Sequence, residues 1–406
     1  MRVTRINLAD VQPRDLVEGE LVKAFDFYRG RTALYALLRA LEVGPGDEVI
    51  VQGYTCLAVI LPIIGLGAVP VYVDVLPANY STDPASMAAR ITSRTRAIII
   101  QHTFGIPAAL DQLLEIAREH RLPVIEDCCH VHGGMYRGRP LGSFGAAAFY
   151  SFHWSKPVAG GRGGLAVIND SAMAARVAEF HASCSRPAWP EAIWLGSQYL
   201  AFRLLRSMGL ITHMRALLRS WSPNGVATGQ FRRGELEYKL TPDYTKTMAA
   251  PLKYAVKTVL LRGRAQIERR QQISAQLHAR ACQLGISPIE LGTLSPVALM
   301  SYPLHANEKF SRMSAEGRVH RINVTPGFVS PVDPLGPNQW ADVGYHAGSC
   351  PVAEYLAEKT ITLPVQSFGG KRHVQRLLGF LEAVKVQGLV KSVGTGMAPP
   401  ADHRAA

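Results

Sequence analysis

Three neighbouring stretches decide the fold: Ala97-Ile-Ile-Ile-Gln101, the segment Leu110 to His120, and Leu122-Pro-Val-Ile-Glu-Asp127. The first and last are short apolar runs closed by a polar or acidic residue, the pattern of a buried strand. The segment between them is longer and mixes apolar with charged positions, as a surface helix does. Strand, helix and strand in so short a space form one crossover unit of a parallel sheet.

The alternation extends in both directions. Tyr28-Arg-Gly-Arg-Thr-Ala-Leu-Tyr-Ala-Leu-Leu-Arg-Ala-Leu41 reads as a glycine turn opening an amphipathic helix. Gly44-Pro-Gly-Asp47 stops it and leads into the strand Glu48-Val-Ile-Val-Gln52. Leu57 to Leu66 reads as a helix, and Val69-Pro-Val-Tyr-Val-Asp74, Ala148-Phe-Tyr-Ser-Phe152 and Leu165-Ala-Val-Ile168 as strands. The expected architecture is α/β, a mainly parallel central sheet with helices on both faces, plus a smaller C-terminal α/β domain. The expected division is a large domain over 1–250 with an irregular insertion at about 185–240, then a linking helix and small domain over 251–388. A disordered tail is expected over 389–406, rich in Gly, Pro and Ala.

Composition bounds the class. Of 406 residues, 48% are hydrophobic, enough for a large core. No apolar run reaches the roughly 18–20 residues that cross a bilayer, and the first residues lack a signal peptide's apolar stretch. A cytoplasmic location is the expectation. The six cysteines are scattered without a CxxC pair, so reduced thiols are expected and no metal. The formal net charge of +13 is spread without a basic run, which suits anionic small molecules or an acidic membrane surface rather than nucleic acid. Residues 196–221 interleave arginine with leucine and methionine; they read as a weak membrane-surface contact or as an insertion packed on the body.

Two residues carry chemistry. Ser151-Phe-His-Trp-Ser-Lys156 follows an apolar run and precedes Gly160-Gly-Arg-Gly-Gly164, while Asp127 closes the run before it. Such a lysine can form a Schiff base with the aldehyde of pyridoxal 5′-phosphate, and such an aspartate can pair with its pyridine nitrogen. Taken singly, a lysine is ordinarily a solvated surface residue and a strand-end aspartate ordinarily a cap. The helix start Gly30-Arg-Thr-Ala33 offers outward N–H groups and a favourable dipole for a phosphate.

With these residues in view the chain resembles the DegT/StrS family of sugar aminotransferases, pyridoxal-phosphate enzymes of fold type I. The resemblance rests on Gly44-Pro-Gly-Asp-Glu-Val-Ile50, Gly67-Ala-Val-Pro-Val-Tyr-Val-Asp74, His102-Thr-Phe-Gly-Ile-Pro107, Leu122-Pro-Val-Ile-Glu-Asp127, His132-Gly133, Gly138-Arg-Pro-Leu-Gly-Ser143, Ser151-Phe-His153 with Lys156, Gly163-Gly164, Cys350-Pro-Val-Ala-Glu354 and Leu363-Pro364. It implies Lys156 as the Schiff-base lysine and proton shuttle, Asp127 at the pyridine nitrogen and His130 near the ring. It implies Ser151, Arg31, Thr32 and Ala33 at the phosphate. Cys56 stands where the family often has an aromatic residue, so either Tyr54 stacks on the ring or the stacking is weaker. A homodimer with shared sites is implied too. The residue that meets the phosphate from the neighbouring subunit falls near Asp243 or Lys246.

The function that follows is transfer of an amino group from glutamate, or a similar donor, to a keto group of a nucleotide-activated sugar. Two rivals stand beside it. A sugar dehydratase of the same fold would carry histidine in place of Lys156. A non-catalytic, membrane-associated or regulatory relative would tolerate the altered residues Cys56, Pro157 and Arg162.

Overall fold

The computed structural model describes residues 23–208, 231–261, 263–286, 289–291, 297–365 and 370–392. A seven-stranded sheet runs in the order Lys23–Phe27, Gly164–Ile168, Ala147–Ser151, Val124–Asp127, Thr95–Gln101, Glu48–Gln52, Val69–Val73. The five strands from Ala147–Ser151 to Val69–Val73 are parallel, and Gly164–Ile168 is antiparallel to both neighbours. The expected α/β class with a mainly parallel sheet is therefore what forms.

The strands are apolar on both faces, and alternation assigns each residue to a side. Val49, Val51, Ile99 and Ile125 join a core on one face with Leu34, Leu37 and Leu38 of the helix Gly30–Ala40. Ile50, Ile98, Ile100 and Val124 join a second core with Leu110 and Leu113 of the helix Leu110–Glu119.

A second sheet of three strands follows, Ser301–His305, Thr360–Pro364 and Thr325–Pro326, all antiparallel. A short parallel pairing of Val332 with Thr55 and of Asp333 with Cys56 ties this region to the first.

Two expectations change. The stretch expected to be irregular contains a helix, Trp189–Ser207, because Tyr199 and Leu195 find buried positions against the helix Ala250–Leu261. Its other side exposes Trp189, Ile193, Trp194, Leu200 and Leu204. Residues 209–221 of the expected membrane contact lie outside the described residues. The chain also stays ordered past 388. Leu389 and Val390 are buried, and Val390 and Ser392 bridge to Ala306 and Ile286. Residues 393–406 lie outside the described residues. None of the described helices is long and apolar enough to cross a membrane.

Candidate active site

The carboxyl ends of parallel strands are where an open α/β sheet builds its site. Gln101, Asp127 and Ser151 each close a strand, and all three line one cavity of about 1020 Å³. Backbone pairing sets their spacing: Gln101 lies opposite Asp127, and Asp127 opposite Phe149. Lys156 reaches the same cavity from the connection 152–163, which returns the chain from Ala147–Ser151 into the antiparallel strand Gly164–Ile168. That return is possible at the same sheet end only because the pairing is antiparallel. The Lys156 N–H donates to the His153 carbonyl at 2.9 Å, closing the turn.

Asp127 is 4% exposed, and one carboxylate oxygen accepts the Cys129 N–H at 2.9 Å. Burial pushes its carboxyl up; the bonds from Cys129 and the charge of Lys156 pull the other way. Its aim is fixed by Glu126, whose side chain points to the opposite face. Glu126 accepts N–H groups from Gly142, Phe144 and Gly145 at 2.7–2.8 Å and meets His102 Nε2 at 3.1 Å. Those four bonds pin the strand end that presents Asp127. His102, Glu126 and Cys128 approach one another closely, but the bonds to Glu126 already account for that cluster.

His130 also lines the cavity. Its ring stacks on Phe104 with centroids 6.2 Å apart and 12° between planes, and its Nδ1 accepts the Phe104 N–H at 3.1 Å. Burial first, then Lys156, holds it well below the ordinary histidine range, so it is neutral.

The cavity is cationic where the phosphate is expected. Arg29, Gly30, Arg31 and Arg162 line the cavity beside Ser151, at the start of the helix Gly30–Ala40. A Cβ on Gly30 would stand 2.8 Å from Ser151 Cβ, so only glycine lets the helix start approach that strand end. His153 measures the field there. Burial, then Lys156, Arg29, Arg31 and Arg162, hold its imidazole down to about 3. Its Nε2 is buried without a hydrogen-bond partner among the described residues. Arg29 is lowered to about 10 by burial and by Arg31 and Arg162. Cations gathered this closely suit a dianionic phosphate.

Not every expected residue reaches the wall. Thr32 and Ala33 are fully buried in the helix's first turn, and Thr32 Oγ1 donates to the Asp243 carbonyl at 3.4 Å. Tyr54 is also fully buried, packed against Tyr80, Phe104 and Phe328. The expected ring stacking thus meets a side chain turned into the core, and Cys56 takes the cavity position. Asp243 is 2% exposed and pairs with Arg29 at 3.4 Å and Arg232 at 2.6 Å, while Lys246 pairs with Glu191 at 2.8 Å.

Sequence reading missed several lining residues. Arg29 precedes Gly30 directly, so the Arg-Gly-Arg run was its signal. Phe328 and Asp333 come from the other end of the chain, and no local pattern marks them. Asp333 Oδ1 accepts the Val329 N–H at 3.0 Å; burial raises its carboxyl to about 6 despite the charge of Lys156.

The sheet and its antiparallel return connection have the architecture of the fold type I aminotransferases. Residues 24–204 match the model of the DegT/DnrJ/EryC1/StrS aminotransferase family. An L-glutamine:scyllo-inosose aminotransferase of Streptomyces griseus is 45% identical over 181 residues, covering 42% of this chain and 43% of that protein. A GDP-perosamine synthase of Caulobacter vibrioides is 43% identical over 148 residues, covering 36% and 40%. These matches span under half the length of the curated relatives. Solved folds extend further. An aminotransferase from Psychrobacter cryohalolentis superposes with a TM-score of 0.69 at 20% identity over 93% of this chain and 90% of that one. A DegT DnrJ EryC1 StrS aminotransferase from Brucella abortus does so with 0.66 at 20% over 93% and 89%. Pyridoxal 5′-phosphate is the cofactor of this family. The cationic helix start, the glycine that admits it and the aspartate-lined wall all fit that molecule.

Proposed function

We propose that this chain is a cytoplasmic, homodimeric aminotransferase dependent on pyridoxal phosphate. It takes an amino group from glutamate or a similar donor and delivers it to the keto group of a nucleotide-activated sugar, in polysaccharide or secondary-metabolite synthesis. One observation carries the reading: Lys156 and Asp127 line one cavity whose far wall is a cluster of arginines at a helix start.

When bound, the cofactor supplies an electron sink for the bonds of the amine carbon. The chain does the rest. Arg29, Arg31, Ser151 and the Gly30 amide hold the phosphate. Asp127 keeps a proton on the pyridine nitrogen, since a cationic ring partner offsets the burial that pushes its carboxyl up. Lys156 Nζ anchors the cofactor and, once released, takes the proton from the donor's Cα, a role worth about 10²–10⁴-fold in rate. Neutral His130 supplies a flat face and a fixed orientation.

Purified protein with added cofactor should show the visible absorbance of a lysine-bound chromophore, and borohydride should fix the cofactor to Lys156. Glutamate and glutamine, tested side by side, should bleach that band. No absorbance in the wild type ends the enzyme reading, and no bleaching with any amino donor ends transamination. A second reading keeps the chemistry and makes the acceptor a free keto-cyclitol; the name of the Streptomyces griseus relative supports it. A panel of nucleotide-linked keto-sugars and scyllo-inosose separates the two. Sedimentation tests the dimer.

A further inference from the structure

The connection 152–163 that bears Lys156 runs without a helix or strand. Its two ends are closed on each other. The Phe152 N–H donates to the Gly163 carbonyl at 3.0 Å, and the Gly160 N–H to the Phe152 carbonyl at 2.9 Å. Neither bond reaches Pro157, which follows Lys156 directly and has no N–H to give.

The tie at Pro157 comes from far along the chain. Arg270, on the helix Gly263–Gln283, donates from one guanidinium nitrogen to the Pro157 carbonyl at 2.6 Å and from another to His132 Nδ1 at 3.4 Å. Its side chain is buried; burial, then the charge of Arg206, lowers it to about 10, so it stays charged at neutral pH. A guanidinium only donates, so His132 Nδ1 must accept. Burial and the Arg270 charge hold His132 down to about 3, which keeps the ring neutral and that lone pair free.

His132 lies two residues beyond His130, on the segment that follows the strand Val124–Asp127. One side chain therefore joins the turn bearing Lys156 to the segment bearing His130. Helix and segment also approach closely. A Cβ on Gly263 would stand 2.8 Å from His132 Nε2, and a Cβ on Gly133 would stand 2.5 Å from Ile267 Cδ1. Gly263, Ile267 and Arg270 have the four- and three-residue spacing of one helix face. Further along, Ile273, Leu277 and Ala281 enter the core that also holds Leu377 and Phe380 of the helix Lys371–Val386. The helix is thus seated in the C-terminal part of the chain while its first turns meet the site.

We propose that Arg270 is a positioning residue for Lys156, fixing the lysine-bearing turn against the segment that carries His130. The fork sets two points at once, which a single hydrogen bond cannot do. Each bond has a charged donor and is stronger than a neutral one. A turn released by about 1 Å carries Nζ off its reacting atoms, a misplacement worth about a hundredfold in rate.

The role rests on the aminotransferase reading, and the experiment separates the two. Pyridoxal phosphate is mixed with wild type, Arg270→Met and Arg270→Lys. Equilibrium dialysis reads how much cofactor binds; growth of the visible band and borohydride fixation read how fast Lys156 attaches to it. Arg270→Met should hold cofactor within about threefold of wild type, because the other cofactor contacts remain, while attachment slows about ten- to a hundredfold. Bleaching at saturating glutamate or glutamine should slow alike, with the half-saturating donor concentration little changed. Arg270→Lys keeps the charge, but one nitrogen cannot hold both acceptors at the spacing of the fork, so its rates should fall between. Attachment at the wild-type rate in Arg270→Met overturns the role; where that variant does not fold, the wild-type rate in Arg270→Lys overturns it. Affinity that falls as far as the attachment rate shows a general loss of the cavity and overturns it too. Wild-type protein without the visible band overturns the aminotransferase reading and this role with it, whereas a wild-type band with unaltered variants overturns this role alone.

Discussion

Arg31 Nη1 lies 3.0 Å from Glu235 Oε1, with both side chains almost fully buried. This arginine, which lines the cavity at a helix start, therefore shares its charge with a carboxylate more than two hundred positions away in sequence. Glu235 is further held by the Arg232 N–H at 2.7 Å, and Phe231 lies under the Arg31 guanidinium at 4.7 Å. The pair engages charge that an anion at this helix start would otherwise meet.

Glu235→Gln removes that competition. The variant should bind pyridoxal phosphate about tenfold more tightly by absorbance titration, because Arg31 turns its full charge to the phosphate. It should also lose about 3 kcal/mol of stability without cofactor, since buried Arg31 loses its carboxylate partner. Unchanged cofactor affinity would remove Glu235 from any role at the site.

Asp333 makes stability depend on pH in a calculable direction. Its folded value of about 6 lies above the ordinary 3.8, so the folded protein holds the proton more tightly. Its contribution is fully present below 3.8 and is lost as pH rises through about 6. Asp333→Asn, melted without cofactor, should therefore be more stable than wild type at pH 7 and above. The gain should shrink as pH falls through about 6 and vanish in acid. A gain independent of pH would reject this titration as the cause.

Glu126 titrates the other way. Burial alone would raise its carboxyl, but His102 and the Gly145 and Gly142 amides overrule it, and the net shift is downward. Its contribution is present above the ordinary 4.5 and lost as pH falls through the lowered folded value. Glu126→Ala strands three N–H groups, each worth about 1–3 kcal/mol when buried without a partner. The variant should melt far below wild type, and surviving protein should load cofactor poorly because Asp127 loses its seat. A melting temperature within a degree or two of wild type would show that the three amides find other partners.

Gly30→Ala tests the helix-start cradle. The new Cβ meets Ser151 Cβ at 2.8 Å, and Ser151 Cα and the Tyr150 carbonyl at 3.2 Å, none of which is a flexible side-chain tip. A cost of about 1–3 kcal/mol follows from overpacking, with the helix start displaced from the strand end. Cofactor affinity should fall much more than the melting temperature of the cofactor-free protein. Equal affinity in the variant would place the phosphate elsewhere.

The fold was legible because buried parallel strands announce themselves. Glu48–Gln52, Thr95–Gln101 and Val124–Asp127 are runs of apolar residues ended by a polar one, and the period of the intervening helices differs. Asp127, Ser151 and Arg31 could be placed on the cavity for a related reason: each sits at a strand or helix end, and Lys156 lies in the short connection that follows one, where local sequence marks the turn. Tyr54 was misread because its side-chain direction depends on distant packing. Its backbone has a φ of 95°, and Phe328 and Tyr80 receive the ring. The helix Trp189–Ser207 was obscured by a hydrophobic pattern split between a buried side and an exposed one.

The sequence by itself determined the alternating sheet, the aspartate at a strand end, the lysine just beyond another and the expectation of pyridoxal phosphate. These depend on residues close in the chain, where hydrophobic period and turn chemistry act. Only the tertiary structure decided which charges meet. It brought Glu235 to Arg31, Asp333 to the lysine's cavity and Arg270 beside Arg206, because burial and electrostatic pairing depend on distance in space and leave no local pattern.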